Sequence, residues 1–313
     1  MRRVVGLENL PENLPWPVVT VGTFDGVHVG HQRVLSEVVR WARANSGTAV
    51  VVTFEQPPRS VLTPENPPLV TSLSHRLVLL ERLGVDLCLV LEFTRELGAM
   101  SALEFVRRVF AEKLRARGVV LGHGSGFGRN REGNEDFLRK YAGEFDFEVR
   151  SVPPVLVDGE VVSSSRIRGA VLKGDFEQAA GLLGRPFSVF GTVVRGAGRG
   201  RGLGFPTANL DLHHEIIPPD GVYIARAVLD EKALPALASI GTRPTFTHAH
   251  DAEGAEHVVE IHLLEFDRQI YGRDIEAQLL RRLRGQTRFA DVGALVAQMK
   301  DDVRRARGYF RQR

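Results

Sequence analysis

From Val18 to Leu183, short apolar runs alternate with longer stretches of helical spacing. Val18–Val21, Thr48–Phe54, Leu87–Leu91, Val119–Leu121 and Glu148–Val152 read as strands. Thr48–Phe54 is β-branched and continuous, as a strand buried on both faces must be, and Glu55-Gln56-Pro57-Pro58 stops it. Between the strands, Val34, Leu35, Val38, Val39 and Ala42 recur at helical spacing over Gln32–Ala44, and Leu77–Leu83 is helical too. Ser101-Ala102-Leu103-Glu104 is a capping box that opens a helix with Phe105, Val106, Val109, Phe110 and Leu114 on its inner face. Val162–Arg168 is a cap leading into a helix that runs to Lys173-Gly174, and Asp175–Leu183 makes one more. This alternation predicts a mostly parallel α/β sheet wrapped by helices, with ligands at the carboxyl ends of its strands.

Beyond Pro186 the pattern changes. Phe187–Val194, Val222–Val228, Ala236–Ile240 and His257–Phe266 are strand-like runs separated by glycine, proline and charged turns. They predict a compact β domain, a barrel closed by a C-terminal helix through Val296–Ala306. With Gly184-Arg185-Pro186 as the hinge, the domains are expected at 1–184 and 185–313. At 313 residues, two cores are the better expectation than one.

Composition narrows the class without naming a chemistry. The chain is 43% apolar and 25% charged, ordinary for a soluble globular protein. Its 41 basic residues face 38 acidic ones, so nothing demands a polyanionic partner despite a sequence pI near 9.2. Cys88 is the single cysteine, which excludes an intramolecular disulfide and a cysteine-rich zinc site, and its apolar surroundings mark it as a buried strand residue. No apolar run approaches a membrane span and no signal-peptide core follows Met1-Arg2-Arg3, so the expectation is a cytoplasmic protein with no membrane contact.

The first candidate chemistry lies at the strand-to-helix junction Gly22-Thr23-Phe24-Asp25-Gly26-Val27-His28-Val29-Gly30-His31. Gly22, Gly26 and Gly30 let the backbone bend closely, and His28 and His31 stand where the next helix begins. Free N–H groups and partial positive charge at a helix start favour an anion, so the stretch predicts a phosphate site. Ser163, Ser164 and Ser165 cap the later helix, and Arg168 one turn on would add a guanidinium to an anion held there.

A second glycine-rich stretch, Gly191 to Gly204, carries Gly196, Gly198, Gly200 and Gly202 with Arg195, Arg199 and Arg201 interleaved. Such a basic loop suits a polyphosphate, although no Gly-Lys-Ser/Thr is present. It leads into Phe205-Pro206-Thr207-Ala208-Asn209, where Thr207 and Asn209 would share one strand face and offer neutral oxygens to Mg2+. A kinase acting on an alcohol also needs a carboxylate base. Glu260 in Val259-Glu260-Ile261-His262-Leu263 is a candidate, with Asp220, Glu265 and Asp267 as competitors that spacing alone does not separate.

Here the motifs become specific. The His-x-Gly-His core of Gly22–His31 resembles the nucleotidyltransferase superfamily, and Val162–Arg168 is similar to that superfamily's Ile-Ser-Ser-Thr-x-Ile-Arg element. Gly204–Asn209, Gly241-Thr242-Arg243-Pro244-Thr245-Phe246 and Glu260–Leu263 resemble riboflavin kinase. Together, from about Pro15 to Arg304, they look like the bacterial bifunctional riboflavin kinase/FMN adenylyltransferases, or FAD synthetases.

The resemblance implies a Rossmann-like nucleotidyltransferase domain followed by a riboflavin kinase barrel. The barrel would phosphorylate riboflavin to FMN with ATP, with Glu260 as base, Thr207 and Asn209 at the Mg2+-nucleotide, and Gly196, Arg201, Gly204 and Pro206 around it. The N-terminal domain would adenylylate FMN with a second ATP, giving FAD and pyrophosphate. There His28 and His31 would stabilise triphosphate charge, with Gly22, Phe24, Asp25, Gly30, Ser164, Ser165 and Arg168 binding the nucleotide. Flavoprotein acceptors would take the products, and no nucleic acid is expected.

Two departures fall in the first domain. The family has Pro-His-Pro after Thr-Phe-Glu where this chain has Gln56-Pro57-Pro58, and Gly122-His123-Gly124-Ser125-Gly126-Phe127-Gly128 lacks the acid and one aromatic of Gly-x-Asp-Phe-x-Phe-Gly. They leave open a second reading, a kinase with a weakened or redirected transferase module. A third is a binding protein, either a flavin sensor or an RNA-binding module using Arg281, Arg282, Arg284 and Arg288 on the closing helix.

Overall fold

The computed structural model describes residues 1–56, 68–196, 199–213, 216–243 and 256–312, without the side chains of Arg199, Arg201, Arg243 and Glu256. Pro57, Pro58, Gly198, Pro244–Phe246 and the Thr247–Glu256 loop of the sequence reading therefore lie wholly or mostly outside the described residues. Two compact units emerge: Met1–Pro68 with Arg76–Ser164, and Leu69–His75 with Ser165–Arg313.

In the first unit, strands β1 (Arg2–Val5), β2 (Val18–Val21), β3 (Ala49–Phe54), β4 (Leu87–Leu91), β5 (Gly118–Gly122) and β6 (Glu148–Val152) form one sheet in the order β1-β4-β3-β2-β5-β6. Every pairing is parallel. The chain winds one way from β2 through β3 and β4, and the other way through β5 and β6. The end of β2 is thus a point where strand order reverses, which is where open α/β sheets bind ligands. Helix α1 (Val29–Ala44) leaves from that end and buries Val34, Leu35, Val38, Trp41 and Ala42. A Cβ at Gly118 would meet the Trp41 ring at 2.6 Å, so β5 admits this helix only because a glycine stands there.

Strand β1 is absent from the sequence reading, since two valines after Arg2-Arg3 give too short an apolar signal; pairing with β4 makes it a strand. Helix α2 (Leu73–Arg82) begins four residues before the apolar pattern does. A short helix α3 (Arg95–Ala99) precedes α4 (Ala102–Phe105), where Ser101 caps as expected, its Oγ accepting from the Glu104 N–H at 3.2 Å. The chain then widens to a π-helix over Val106–Lys113, closed by the Leu114 N–H on the Val109 carbonyl, and still buries Phe105, Val106, Val109, Phe110 and Leu114. Helix α5 (Glu135–Tyr141) and a small hairpin of β7 (Leu156–Val157) and β8 (Glu160–Val161) complete this unit.

From Ser165 onward α6 (Ser164–Lys173) and α7 (Phe176–Leu183) cluster with the barrel, even though composition changes only at Pro186. Phe176 accounts for this, lying parallel to Phe187 at 6.1 Å and edge-on to Tyr223 at 5.5 Å. Six strands, β9 (Ser188–Val194), β10 (Ala208–Leu212), β11 (Gly221–Leu229), β12 (Lys232–Arg243), β13 (Glu256–Leu263) and β14 (Asp274–Arg284), close into a barrel in the order β10-β13-β12-β11-β14-β9. One helical turn, α8 (Arg199–Gly202), interrupts the glycine-rich stretch. Helix α9 (Val292–Arg311) covers the barrel's outer face, where Leu237, Val222, Ile224 and Ala306 form one buried cluster.

The closing helix corrects one expectation. Arg281, Arg282 and Arg284 lie on β14, not on a helix. Arg282 donates to the Asp220 carbonyl at 2.7 Å, and Arg284 grips Asp302 of α9 through Nε and Nη2 at 2.8–3.2 Å. Those guanidinium groups tie the barrel to its helix and to its own turn. The strand went unread because Arg281, Arg282 and Arg284 blur its alternation, while the pairing of β14 with both β9 and β11 fixes it.

Candidate active sites

The first site is built on the turn between β2 and α1. Gly22 continues the ladder, its N–H on the Val52 carbonyl at 3.0 Å, and then Phe24, Gly26 and Val27 take φ of 52°, 79° and 41°. A β-branched valine in the left-handed region is strained, which is common where backbone is bent for a ligand. His28 is the N-cap of α1: its Nδ1 accepts the His31 N–H at 3.2 Å, which puts the ring proton on Nε2. One of the free helix N–H groups expected for an anion is therefore already taken, and the imidazole offers Nε2–H in its place. Gly30 makes room for that ring, since a Cβ would stand 3.1 Å from His28 Cε1.

The two imidazoles stack with centroids 3.5 Å apart and planes 15° apart, and Phe24 meets His31 edge-on at 5.2 Å. Burial above all, then the neighbouring His28 and the Arg76 charge, hold the His31 pKa well below its ordinary 6.5, so this ring is neutral at physiological pH. Asp25 is buried in the same turn, and its carbonyl accepts the Ser164 hydroxyl at 3.0 Å. Ser164 thus meets the loop through backbone, while exposed Ser165 and half-buried Arg168 sit on α6 in the other compact unit. Cys88 is fully buried in β4 with its thiol pushed up to about 12 by burial, so it is no nucleophile.

The second site lies on the barrel's outer face. Antiparallel pairing sets Asn209 of β10 directly opposite Glu260 of β13, with Ser239 opposite Glu260 on the other side. Thr207 precedes β10 by one residue and therefore stands just outside the expected strand. His262, two residues along from Glu260, holds the turn: its Nδ1 is 2.8 Å from the Pro206 carbonyl oxygen and its ring is edge-on to Phe205. A Cβ at Gly196 would lie 2.1 Å from Asn209 Nδ2, and one at Gly200 would lie 2.5 Å from the Phe205 carbonyl oxygen and 3.1 Å from Thr207 Oγ1. These glycines pack the loop directly behind Thr207 and Asn209, and Gly204 turns the chain at φ 83°.

The competing acids are placed elsewhere. Asp220 pairs with His257 at 3.6 Å and Glu265 with Arg307 at 3.5 Å, and neither they nor Asp267 share the Asn209 register. A groove of about 790 Å³ adjoins the site, between Gly204–Pro206, His262–Leu263 and α9. Among the described residues no group of three or more His, Cys, Asp or Glu could hold a metal ion. Thr207 and Asn209 are neutral oxygen donors, and that pairing is compatible with a Mg2+ that keeps most of its waters.

Two family models cover these two sites: the FAD synthetase model matches residues 11–166 and the riboflavin kinase model residues 183–310. A bifunctional riboflavin kinase/FMN adenylyltransferase of Pseudomonas fluorescens is 37% identical over 307 residues, 98% of this chain and 97% of that protein. The chain belongs to the bifunctional riboflavin kinase/FMN adenylyltransferase family. The relative of that name from Escherichia coli K12 is 35% identical over 99% of this chain and 98% of its own. A solved structure named a macrolide-efflux protein from Streptococcus pneumoniae is 32% identical, with a TM-score of 0.81 over 98% of this chain and 99% of that one. Among the described residues no helix is long and apolar enough to cross a membrane.

Within this bifunctional family the departure at Gly124 sits on exposed backbone, while Pro57 and Pro58 lie outside the described residues. Gly124 takes φ 67° with open space around its Cβ direction, and the Arg131 guanidinium donates to its carbonyl at 2.6 Å. Phe127, the aromatic that remains, is buried against Phe105 and Phe110. Two residues beside the sites were missed in the sequence reading. His262 signalled itself only by alternating with Glu260, and Arg76 only by standing one turn from Leu80 on the buried side of α2.

Proposed function

We propose that the chain makes FAD from riboflavin in two ATP-dependent steps, with the functional division at 184/185. In the barrel, the terminal ribityl hydroxyl of riboflavin attacks the γ-phosphorus of ATP, Glu260 accepts its proton, and ADP leaves with FMN as product. Asn209 and Thr207 are the oxygens we assign to Mg2+, which when bound neutralises phosphate charge; Gly196, Arg201, Gly204 and Pro206 form the backbone around the nucleotide. Phe205, Leu263, Phe266 and Val303 give the adjoining groove an apolar and aromatic surface for the flavin ring, and Lys300, Arg304, Arg307 and Arg311 line it with positive charge.

In the N-terminal domain, a phosphate oxygen of FMN attacks the α-phosphorus of a second ATP. The bond to the β-phosphate breaks, and pyrophosphate leaves. His28 donates from Nε2 to the triphosphate and neutral His31 supports it, while Gly22, Phe24, Asp25 and Gly30 shape the turn and Ser164 adds a donor. We place the protein in the cytoplasm, passing FMN and FAD to flavoprotein acceptors, and assign it no nucleic-acid partner.

The observation that carries this reading is the opposition of Asn209 and Glu260 in one unit and the stacked His28–His31 pair at the strand reversal of the other. Incubating the protein with riboflavin, ATP and magnesium and separating the products by chromatography tests it. FMN followed by FAD is expected; FMN alone would leave only the kinase step standing.

A further inference from the structure

Arg76 is fully buried at 0% exposure, on the second turn of α2. Its Nη1 donates both to the Thr23 carbonyl and, at 3.2 Å, to the Thr53 hydroxyl at the end of β3. Thr53 Oγ1 in turn lies 3.3 Å from the same Thr23 carbonyl as a donor. One carbonyl, in the turn that ends β2, is thus held from two directions by groups on a helix and a strand. The next residue is Phe24, at φ 52°, whose ring meets His31.

A guanidinium in this position is unexpected on packing grounds alone. Leu80, one turn along α2, is also fully buried, and a leucine or methionine at position 76 would fill the same side of the helix without the cost of desolvating a cation. A permanent positive charge behind a phosphate site would be repaid during turnover. It favours the negative charge that grows on departing pyrophosphate, and its Nη1 donation to the Thr23 carbonyl pins the backbone that carries the imidazoles.

We infer that Arg76 is a positioning residue for adenylyl transfer, fixing the Thr23–Phe24 turn and through it the His28–His31 pair. It acts through Thr23 and Phe24 and touches no substrate. The inference rests on reading the Gly22–His31 loop as the adenylyl-transfer site.

The test uses the full-length protein in four variants, Arg76→Met, Arg76→Lys, Thr53→Val and His28→Ala. FAD formation from supplied FMN is followed in each, with FMN formation from riboflavin as internal reference. In Arg76→Met, kcat for FAD formation is expected to fall by about 10²-fold, the scale of a misplacement near 1 Å, with KM for FMN moving much less. Arg76→Lys should recover part of the loss, since an ammonium keeps the charge and one donor. Thr53→Val should lose less than Arg76→Met because the guanidinium still holds Thr23.

A second readout is the His31 ring titration by NMR. The charges bearing on His31 are His28 and Arg76, so Arg76→Met should move that titration upward. Folded Arg76→Met with FAD formation within twofold of wild type and an unmoved His31 titration would overturn the inference. If Arg76→Met does not fold, wild-type rates in both Arg76→Lys and Thr53→Val overturn it equally. Wild-type FAD formation in His28→Ala would instead sink the assignment of the loop itself, which separates the two failures.

Discussion

Asn209 and Glu260 occupy one register position on adjacent barrel strands, and Gly196 backs onto the asparagine so closely that a Cβ would lie 2.1 Å from its amide nitrogen. Pairing in a closed barrel leaves no freedom to slip by one residue, because a slip would carry Glu260 to the inner face that Val259 and Ile261 fill. The acid we assign to the hydroxyl proton and the amide we assign to the nucleotide side are therefore held by backbone, at a spacing of about 5 Å between Cβ atoms.

Gly196→Ala should accordingly damage the kinase without unfolding the barrel. FMN formation is expected to fall at least tenfold while FAD formation from supplied FMN is kept. Glu260→Gln should be more severe, about 10²- to 10⁴-fold, with the same selectivity. Separate assays of the two steps check both, and equal losses in the two steps would contradict the assignment.

His28 has two roles that a pair of substitutions separates. His28→Ala removes the helix cap and the Nε2 donor, so it should cost about 1 kcal/mol of stability and about 10²- to 10³-fold in FAD formation. His28→Asn restores a capping oxygen and should recover the stability but not the rate. Chemical denaturation and the FMN-to-FAD assay read the two effects independently.

The burial of His31 predicts a pH dependence of stability. Its folded pKa is depressed, so below its ordinary 6.5 the unfolded chain binds a proton that the folded state refuses. Unfolding free energy should therefore decline as pH falls below about 6.5, at no more than about 1.4 kcal/mol per pH unit from this group. His31→Leu should flatten that slope. Denaturation curves from pH 5 to 8 measure it, and an unchanged slope in the variant would count against the burial argument.

Arg284 and Asp302 lock α9 to β14. Asp302 is 3% exposed and also accepts from Gln298 at 3.0 Å, so Asp302→Ala strands a mostly buried guanidinium. A loss of about 3–5 kcal/mol is expected, the scale for breaking one partner of a buried pair. The change in urea midpoint at constant slope gives this value directly.

The sequence alone determined the alternation of strands and helices up to Leu183, the change from α/β to β texture, and both chemical motifs. These are local properties: apolar spacing and glycine positions sit in contiguous residues, so His28, His31, Thr207 and Asn209 were legible as candidates one by one. Which acid serves as base was not, because Asp220, Glu260, Glu265 and Asp267 differ only in which strand lies beside them. Barrel closure, a pairing of β10 with β13 across an intervening stretch of some fifty residues, sets Glu260 opposite Asn209, and our assignment of the base rests on that. The same holds for β1 and β14, whose weak patterns became strands through their partners, and for Arg76, which lies 53 residues from the carbonyl it holds. Contacts of that range depend on how the sheet stacks its strands and where its helices pack, and only the folded chain brings those groups within hydrogen-bond reach.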